Sequence, residues 1–253
     1  MSKEFTKYIE LRFYGTLNDF LHLNRRQASF RYSYMGSPTV KDIIESVGVP
    51  HVEVALILIN GEVVDFNVHP QSGDRISCYS RFHSLDIGRI NLLKDEPNEP
   101  RFILDVHLGK LAKYMRIMGF DTLYQTDYSD DEILKISLDE KRIILTCDLG
   151  ILRNGIAKWG YYIRSRVSKV QLIEVMDTFS LYEKTNPFSR CTKCNGLVEV
   201  VSKAQIIDHL DYRTNRYYSD FFRCSSCKQI YWEGSHFKSI EKFINENLNR
   251  NVK

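Results

Sequence analysis

The sequence predicts a multidomain α/β chain. A small mixed sheet comes first, a parallel-sheet core follows, and a cysteine-pinned module closes the chain. Three observations carry that prediction. Strand and helix signals alternate across residues 101–148, the order expected of a parallel sheet with crossover helices. Strand-type runs flank one short helical pattern within residues 1–83, which suggests a β-grasp. Two CxxC pairs, Cys191/Cys194 and Cys224/Cys227, lie 29 residues apart, and that spacing suits two metal-binding knuckles. The expected domains are therefore 1–83, a linker at 84–99, a core at 100–183, and the cysteine module at 184–253.

In the first domain, residues 8–13 alternate as a strand, and 28–34 form a second after a turn near Gly15. Thr39 is placed to cap a helix whose apolar positions are Val40, Ile43, Ile44 and Val47, with Gly48 closing it. Residues 54–59 are a strongly apolar strand. Asn60-Gly61 is a tight hairpin turn, and 62–68 is its return strand. Gly73-Asp74 leads into a last strand at 75–79. Two prolines and three acids then follow Leu93 by residue 100, a solvated boundary composition.

The core opens with a short apolar run at Phe102–Leu104, ended by Asp105. A helix over 108–118 puts Leu108, Leu111, Ala112, Met115 and Met118 on one stripe. Lys113 and Arg116 lie off that stripe, three apart, where they are candidates to hold phosphate. Ser129 and Glu132 form a capping box, with Asp130 and Asp131 in the first turn. A second apolar run at 143–145 is followed by Thr146, Cys147 and Asp148. Residues 149–159 look helical, 161–163 a strand, and 170–179 an amphipathic helix. Arg164 and Arg166 add a basic cluster between the last two.

Parallel sheets bind ligands outside the carboxyl ends of their strands. Asp105 and Asp148 both follow strand ends, and Asp130 or Asp131 supplies a third acid. Carboxylates held together repel one another and call for a cation. Hard ions such as Mg²⁺ or Mn²⁺ match oxygen ligands. Spacing alone also allows ordinary strand-end acids facing solvent.

In the last module, Cys191, Cys194, Cys224 and Cys227 complete a tetrahedral Cys₄ set for structural Zn²⁺. Residues 197–201 and 206–210 are expected to fill the gap as a strand pair. Tyr231, Trp232 and His236, near Arg223 and Lys228, combine aromatic and basic groups suited to stacking on bases or, equally, to packing against the core. Ile240, Phe243, Ile244 and Leu248 mark a closing helix.

The net charge of +3 conceals a gradient: residues 1–99 carry −2, 101–149 carry −2, and 150–253 carry +7. A basic surface beside an acidic metal site suits a polyanionic substrate. No apolar run is long enough to span a membrane, the first ten residues lack a signal-peptide core, and paired CxxC motifs suit a reducing compartment. The expected location is cytoplasmic.

The run from Asp105 to Asp121 (DVHLGKLAKYMRIMGFD), with Ser129-Asp130-Asp131-Glu132 and Ile144-Leu145-Thr146-Cys147-Asp148, resembles the Mut-seven C-terminal ribonuclease family, a branch of the PIN-like nucleases. Residues 56–82 resemble the ubiquitin-like domain often found ahead of that nuclease, and the cysteine module with its YWEGSH segment is similar to the zinc ribbon behind it. The resemblance implies a metal-dependent ribonuclease, with structured RNA such as transfer or ribosomal RNA as the expected substrate. It implies that Asp105, Asp130 and Asp148 hold Mg²⁺ or Mn²⁺, with Asp131 in reserve. The residues themselves offer Lys113, Arg116, Arg164 and Arg166 as RNA contacts or as solvated surface, and substrate or protein-partner docking is the expected role of the ubiquitin-like domain. The family pattern has an Arg before the last Asp; here Cys147 stands there, removing one phosphate contact. The front domain is also similar to sulfur carriers, but it runs on through Tyr79-Ser80-Arg81-Phe82 with no Gly-Gly, so sulfur transfer is not expected. Two other functions stay open: a non-catalytic RNA-binding adapter, and a toxin-like nuclease under a partner's control.

Overall fold

Ile9, Leu11 and Phe13 are buried while their neighbours on β1 (Lys7–Tyr14) are exposed or half-buried. That period of two makes one face of the strand a core face. The computed structural model describes residues 6–81, 97 and 99–247. β2 (Phe30–Tyr34) runs antiparallel to β1. Thr39 caps α1 (Val40–Ser46): its side chain accepts the Asp42 N–H, and Asp42 accepts the Thr39 N–H in return. β3 (Leu56–Ile59) and β4 (Glu62–Val64) meet at Asn60-Gly61, both at positive φ (52° and 94°). Such a pair is what a type I′ hairpin requires. The return strand, expected to reach 68, ends at Val64 because the Asp65 carboxylate accepts the Asn67 N–H at 2.7 Å and turns the chain. β5 (Arg75–Tyr79) pairs parallel with β1 and antiparallel with β3. The sheet order is β2-β1-β5-β3-β4, and α1 buries Val40, Ile43 and Ile44 in the same core. This is the expected β-grasp. The expected linker at 84–99 lies outside the described residues except at 97 and 99.

β6 (Phe102–Leu104) is wholly buried. α2 (Gly109–Ile117) follows, and Leu108, Leu111, Ala112, Met115 and Met118 are all buried, as their spacing predicts. β7 (Thr122–Leu123) pairs parallel with β6. α3 (Asp130–Glu140) starts at the predicted capping box, with the Ser129 hydroxyl and the Glu132 carboxylate each accepting from the other's backbone. β8 (Ile143–Thr146) is buried throughout. α4 spans only Leu149–Arg153, shorter than the helix expected over 149–159. Asn154 is extended there, and its Oδ1 accepts the Ile156 N–H at 3.1 Å, a local turn that competes with the helix. β9 (Gly160–Tyr162) pairs parallel with β8. α5 (Ser168–Thr178) buries Leu172, Val175 and Met176. Both strand pairs are parallel and helix-connected, so the α/β expectation holds.

In the last module, β10 (Val198–Val201), α6 (Tyr212–Tyr217), β11 (Phe221–Cys224) and β12 (Ile230–Trp232) give an antiparallel sheet in the order β10-β11-β12. The strand expected at 206–210 is absent: Ile207–His209 is a helical turn, and β11 pairs with β10 instead. α7 (Ser235–Asn247) is the expected closing helix, with Phe243 and Ile244 buried; Leu248 lies outside the described residues. No helix among the described residues is long and apolar enough to cross a membrane.

The chain forms two compact units that alternate along the sequence. One contains Met1–Glu99 and Ser129–Ile163; the other contains Pro100–Tyr128 and Arg164–Lys253. In the first, the β-grasp is tied to α4 and β9. His51 Nε2 lies 2.9 Å from the Ala157 carbonyl, Glu53 Oε1 accepts the Tyr162 N–H at 2.6 Å, and Arg153 donates to the Gly48 carbonyl at 2.6 Å. His51 and Glu53 are buried, so these polar contacts satisfy groups that would otherwise be costly to bury.

In the second unit, Gly119 (φ 92°) ends α2, and the Asn186 N–H donates to the Met118 carbonyl beside it at 3.0 Å. A β-carbon at Gly119 would collide with the Asn186 carbonyl oxygen. Gly119→Ala is expected to cost about 2 kcal/mol, from a strained φ combined with a backbone clash. Urea unfolding of the purified variant against wild type measures it.

Candidate functional site

Asp105 follows β6 immediately and is only 4% exposed. Its Oδ1 accepts the His107 N–H at 2.8 Å, capping the helical turn Val106–Leu108. Asp148 stands in the corresponding position after β8. Its Oδ1 accepts the Gly150 N–H at 2.6 Å and so caps α4, while its own N–H donates to Thr146 Oγ1 at 2.8 Å. Gly150 allows this close approach, since a β-carbon there would lie 3.0 Å from that oxygen. Asp130 and Asp131 open α3, both exposed. Glu132 is accounted for by the capping box: the Ser129 N–H, then its hydroxyl, hold the carboxyl below its usual range. Asp105 belongs to one compact unit; Asp130, Asp131 and Asp148 belong to the other. Cys147 is half-buried, with Sγ 3.6 Å from the Ile163 carbonyl oxygen.

The four basic candidates have different surroundings. Lys113 and Arg166 are exposed. Arg164 is half-buried, its guanidinium 4.0 Å from Glu174, and the Glu174 carboxylate also accepts the N–H groups of Arg164 and Ser165. Arg116 overturns the expectation that it meets RNA. It is 4% exposed, and its guanidinium donates to carbonyls of Thr122 (2.9 Å), Thr192 (3.1 Å), Lys193 (3.2 Å) and Tyr124 (3.5 Å). Burial lowers its pKa, and the Cys191 and Cys194 sulfurs act in the opposite direction. Arg116 is a structural tie between α2, β7 and the first cysteine knuckle.

The cysteine set converges as its spacing predicts. The sulfurs of Cys191, Cys194, Cys224 and Cys227 all lie within 4.8 Å of one another. Cys191–Cys227 is 3.5 Å and Cys194–Cys224 is 3.4 Å, far beyond a disulfide bond. Tetrahedral zinc at ~2.3 Å from each sulfur sets sulfurs ~3.8 Å apart, so the donor set fits Zn²⁺. Burial raises the Cys191 thiol, but the Tyr231 hydroxyl and the N–H groups of Cys194 and Lys193 outweigh it and bring the pKa to about 7. That favours the thiolate, the ligand form. Tyr231, read as suited to base stacking or to packing, places its hydroxyl 3.0 Å from Cys191 Sγ and accepts the Thr192 N–H at 3.1 Å. The side chain of His236 lies outside the described residues.

Two residues that the sequence reading missed extend this tie. Asn195 is buried; its Oδ1 accepts the Thr122 N–H at 3.0 Å and its Nδ2 donates to Asp121 at 2.8 Å. Arg190 donates to the Gly119 and Asn195 carbonyls at 3.2 and 3.0 Å. Their one sequence signal is closeness to the cysteines, which names no partner.

A family model described as "Mut7-C RNAse domain" matches residues 100–244, and one described as "Mut7-C ubiquitin" matches residues 6–86. No curated protein and no solved structure matches the chain.

Arg116→Met strands several carbonyls at once and is expected to cost about 3 kcal/mol. It should also speed the loss of zinc to a colorimetric chelator, since two of those carbonyls belong to the knuckle. Unfolding midpoints and chelator-trapping rates, measured on zinc-loaded protein, check both.

Proposed function

The chain belongs to the Mut7-C RNAse domain family, and from that membership we propose that it hydrolyses RNA phosphodiesters at a divalent-metal centre held by Asp105, Asp130 and Asp148. A ribonuclease-type function follows from the family itself; the metal, its ligands and the RNA are the finer reading. What supports it most is the parallel placement of Asp105 and Asp148. Each follows the carboxyl end of a parallel strand, and each carboxylate is fixed by a capping bond to the next turn. A carboxylate whose rotamer is already set needs little reorganisation to serve as a ligand.

In this reading Asp105, Asp130 and Asp148 hold Mg²⁺ or Mn²⁺, with Asp131 as the alternative on α3. All are hard oxygen donors, suited to such an ion. Held there, such an ion would lower the pKa of a coordinated water below that of bulk water and offset charge on the leaving oxygen. Lys113 and Arg166, both exposed, hold flanking phosphates, and Arg164 contributes from beside Glu174. Structured RNA such as transfer or ribosomal RNA is the proposed substrate. The Cys₄ set holds structural Zn²⁺, and the ubiquitin-like domain docks a protein partner. Four cysteines committed to a metal suit a reducing compartment, and the cytoplasm is the proposed location.

Asp105→Asn and Asp148→Asn are each expected to slow cleavage of labelled RNA by about a hundredfold or more, roughly 2.7 kcal/mol of barrier. RNA affinity should stay within about threefold, because each loses a metal ligand rather than a phosphate contact. Wild-type cleavage by either variant sinks the site assignment. Absence of fragments from the wild-type protein with Mn²⁺ supplied favours a binding adapter over a nuclease.

A further inference from the structure

We propose that a cavity on the cysteine module, beside the second knuckle, receives one unpaired nucleotide of a bound RNA strand. The cavity measures about 570 Å³, within the ~300–1,000 Å³ range of small-ligand sites. Its lining combines an apolar floor with an aromatic wall and a cationic rim. Leu210 and Ile230 form the floor, at the edge of the small core around Phe221. Trp232 is the aromatic wall, 37% exposed and tilted against Tyr218 at 6.3 Å. Arg223 and Lys228 supply the cations.

Strand register explains why these groups meet. β11 and β12 pair Phe221 with Trp232 and Arg223 with Ile230. Directly paired residues share a face of the sheet, so the indole and the guanidinium emerge on the side that carries Phe221. Gly234 leaves the indole edge open, since a β-carbon there would lie 3.0 Å from Nε1.

The charge of the lining favours an anion. Asp211 is its acid, but that carboxylate is committed to capping α6: it accepts the Thr214 N–H at 2.9 Å and the Thr214 hydroxyl at 2.7 Å. Glu199 on β10 is Arg223's other direct cross-strand partner, but among the described residues the Arg223 guanidinium meets no carboxylate within ion-pair distance. Lys228 spends one of its three donors on the Ser225 carbonyl. Two cations above an apolar floor match a phosphate and its base, and Trp232 offers the base a stacking face. A base already paired in a duplex is stacked and cannot enter, so the preference is for unpaired strands.

This inference rests on the RNA-cleaving reading but uses residues outside the proposed metal centre. The chain has two tryptophans, Trp159 and Trp232, so Trp159→Phe leaves Trp232 as the sole indole reporter. The full-length, zinc-loaded variant is titrated without added Mg²⁺ or Mn²⁺ against an unpaired oligouridylate of about ten nucleotides. Binding is followed in parallel by anisotropy of labelled RNA. Saturable quenching of Trp232 is expected, with about tenfold weaker binding in Arg223→Gln and a salt slope shallower by about one. Should Arg223→Gln shed zinc, Lys228→Gln at an exposed side chain supplies the same readout. RNA binding with unchanged Trp232 emission overturns the proposal. So does equal quenching by a duplex of the same length, or wild-type affinity in the charge variants. Cleavage is measured separately with Mn²⁺ supplied: cleavage there without quenching in the titration removes this subsite and leaves the nuclease reading standing, and quenching with no cleavage in Mn²⁺ does the reverse.

Discussion

Arg116 carries a positive charge into the interior of the second compact unit, and the surrounding backbone is shaped to satisfy it. Burying a guanidinium is expensive unless its donors are met. Here they reach carbonyls in β7, in the strand's exit, and in the first cysteine knuckle. A lysine could not replace it, because a point charge with three donors does not span acceptors from separate segments as a planar fork does. There is an electrostatic component as well: the Cys191 and Cys194 sulfurs favour the charged form of Arg116 against the cost of burying it. The cysteine module is thus built into the unit that carries Asp105, through α2 and β7, and a metal held by the four thiolates would reinforce that tie.

What the sequence revealed and what it concealed divide along the range of the interactions. Capping at Thr39 and at Ser129–Glu132 was legible because donor and acceptor lie three residues apart. The Asn60-Gly61 hairpin and the stripe of α2 were legible for the same reason, and the cysteine set because its spacing encodes its geometry. Arg116 was misread because its acceptors at Thr192 and Lys193 lie 76 and 77 residues away. Helical spacing places it at the edge of the apolar stripe, and only the second segment decides whether that edge is covered. For Tyr231 the sequence left stacking and packing both open, because its hydroxyl's partner, Cys191, lies forty positions earlier. The missing strand at 206–210 failed on partner choice: β10 had a better neighbour in β11, whose register ends on a zinc ligand at Cys224.

The placement of the two strand-end acids ties fold to chemistry more closely than their motif does. Asp105 and Asp148 each do a structural task, accepting an N–H two residues ahead, and a capping carboxylate of that kind stabilises the turn whether or not a metal is present. An asparagine can accept the same hydrogen bond. It therefore preserves the cap while removing the charge that the proposed cation would need, which is why that substitution separates the structural role from the proposed catalytic one at both positions.

Cys147 belongs to the same problem. Its neighbours already position Asp148 locally, with Thr146 Oγ1 accepting the Asp148 N–H and the Cys147 sulfur directed to the Ile163 carbonyl in the adjacent chain segment. Position 147 is therefore packed against β9's exit rather than required to orient the acid. An arginine in the family pattern would add a phosphate contact without moving the carboxylate. On the proposed reading, cysteine at this position leaves the substrate to be held by other cations, and residues 150–253 carry an excess of them.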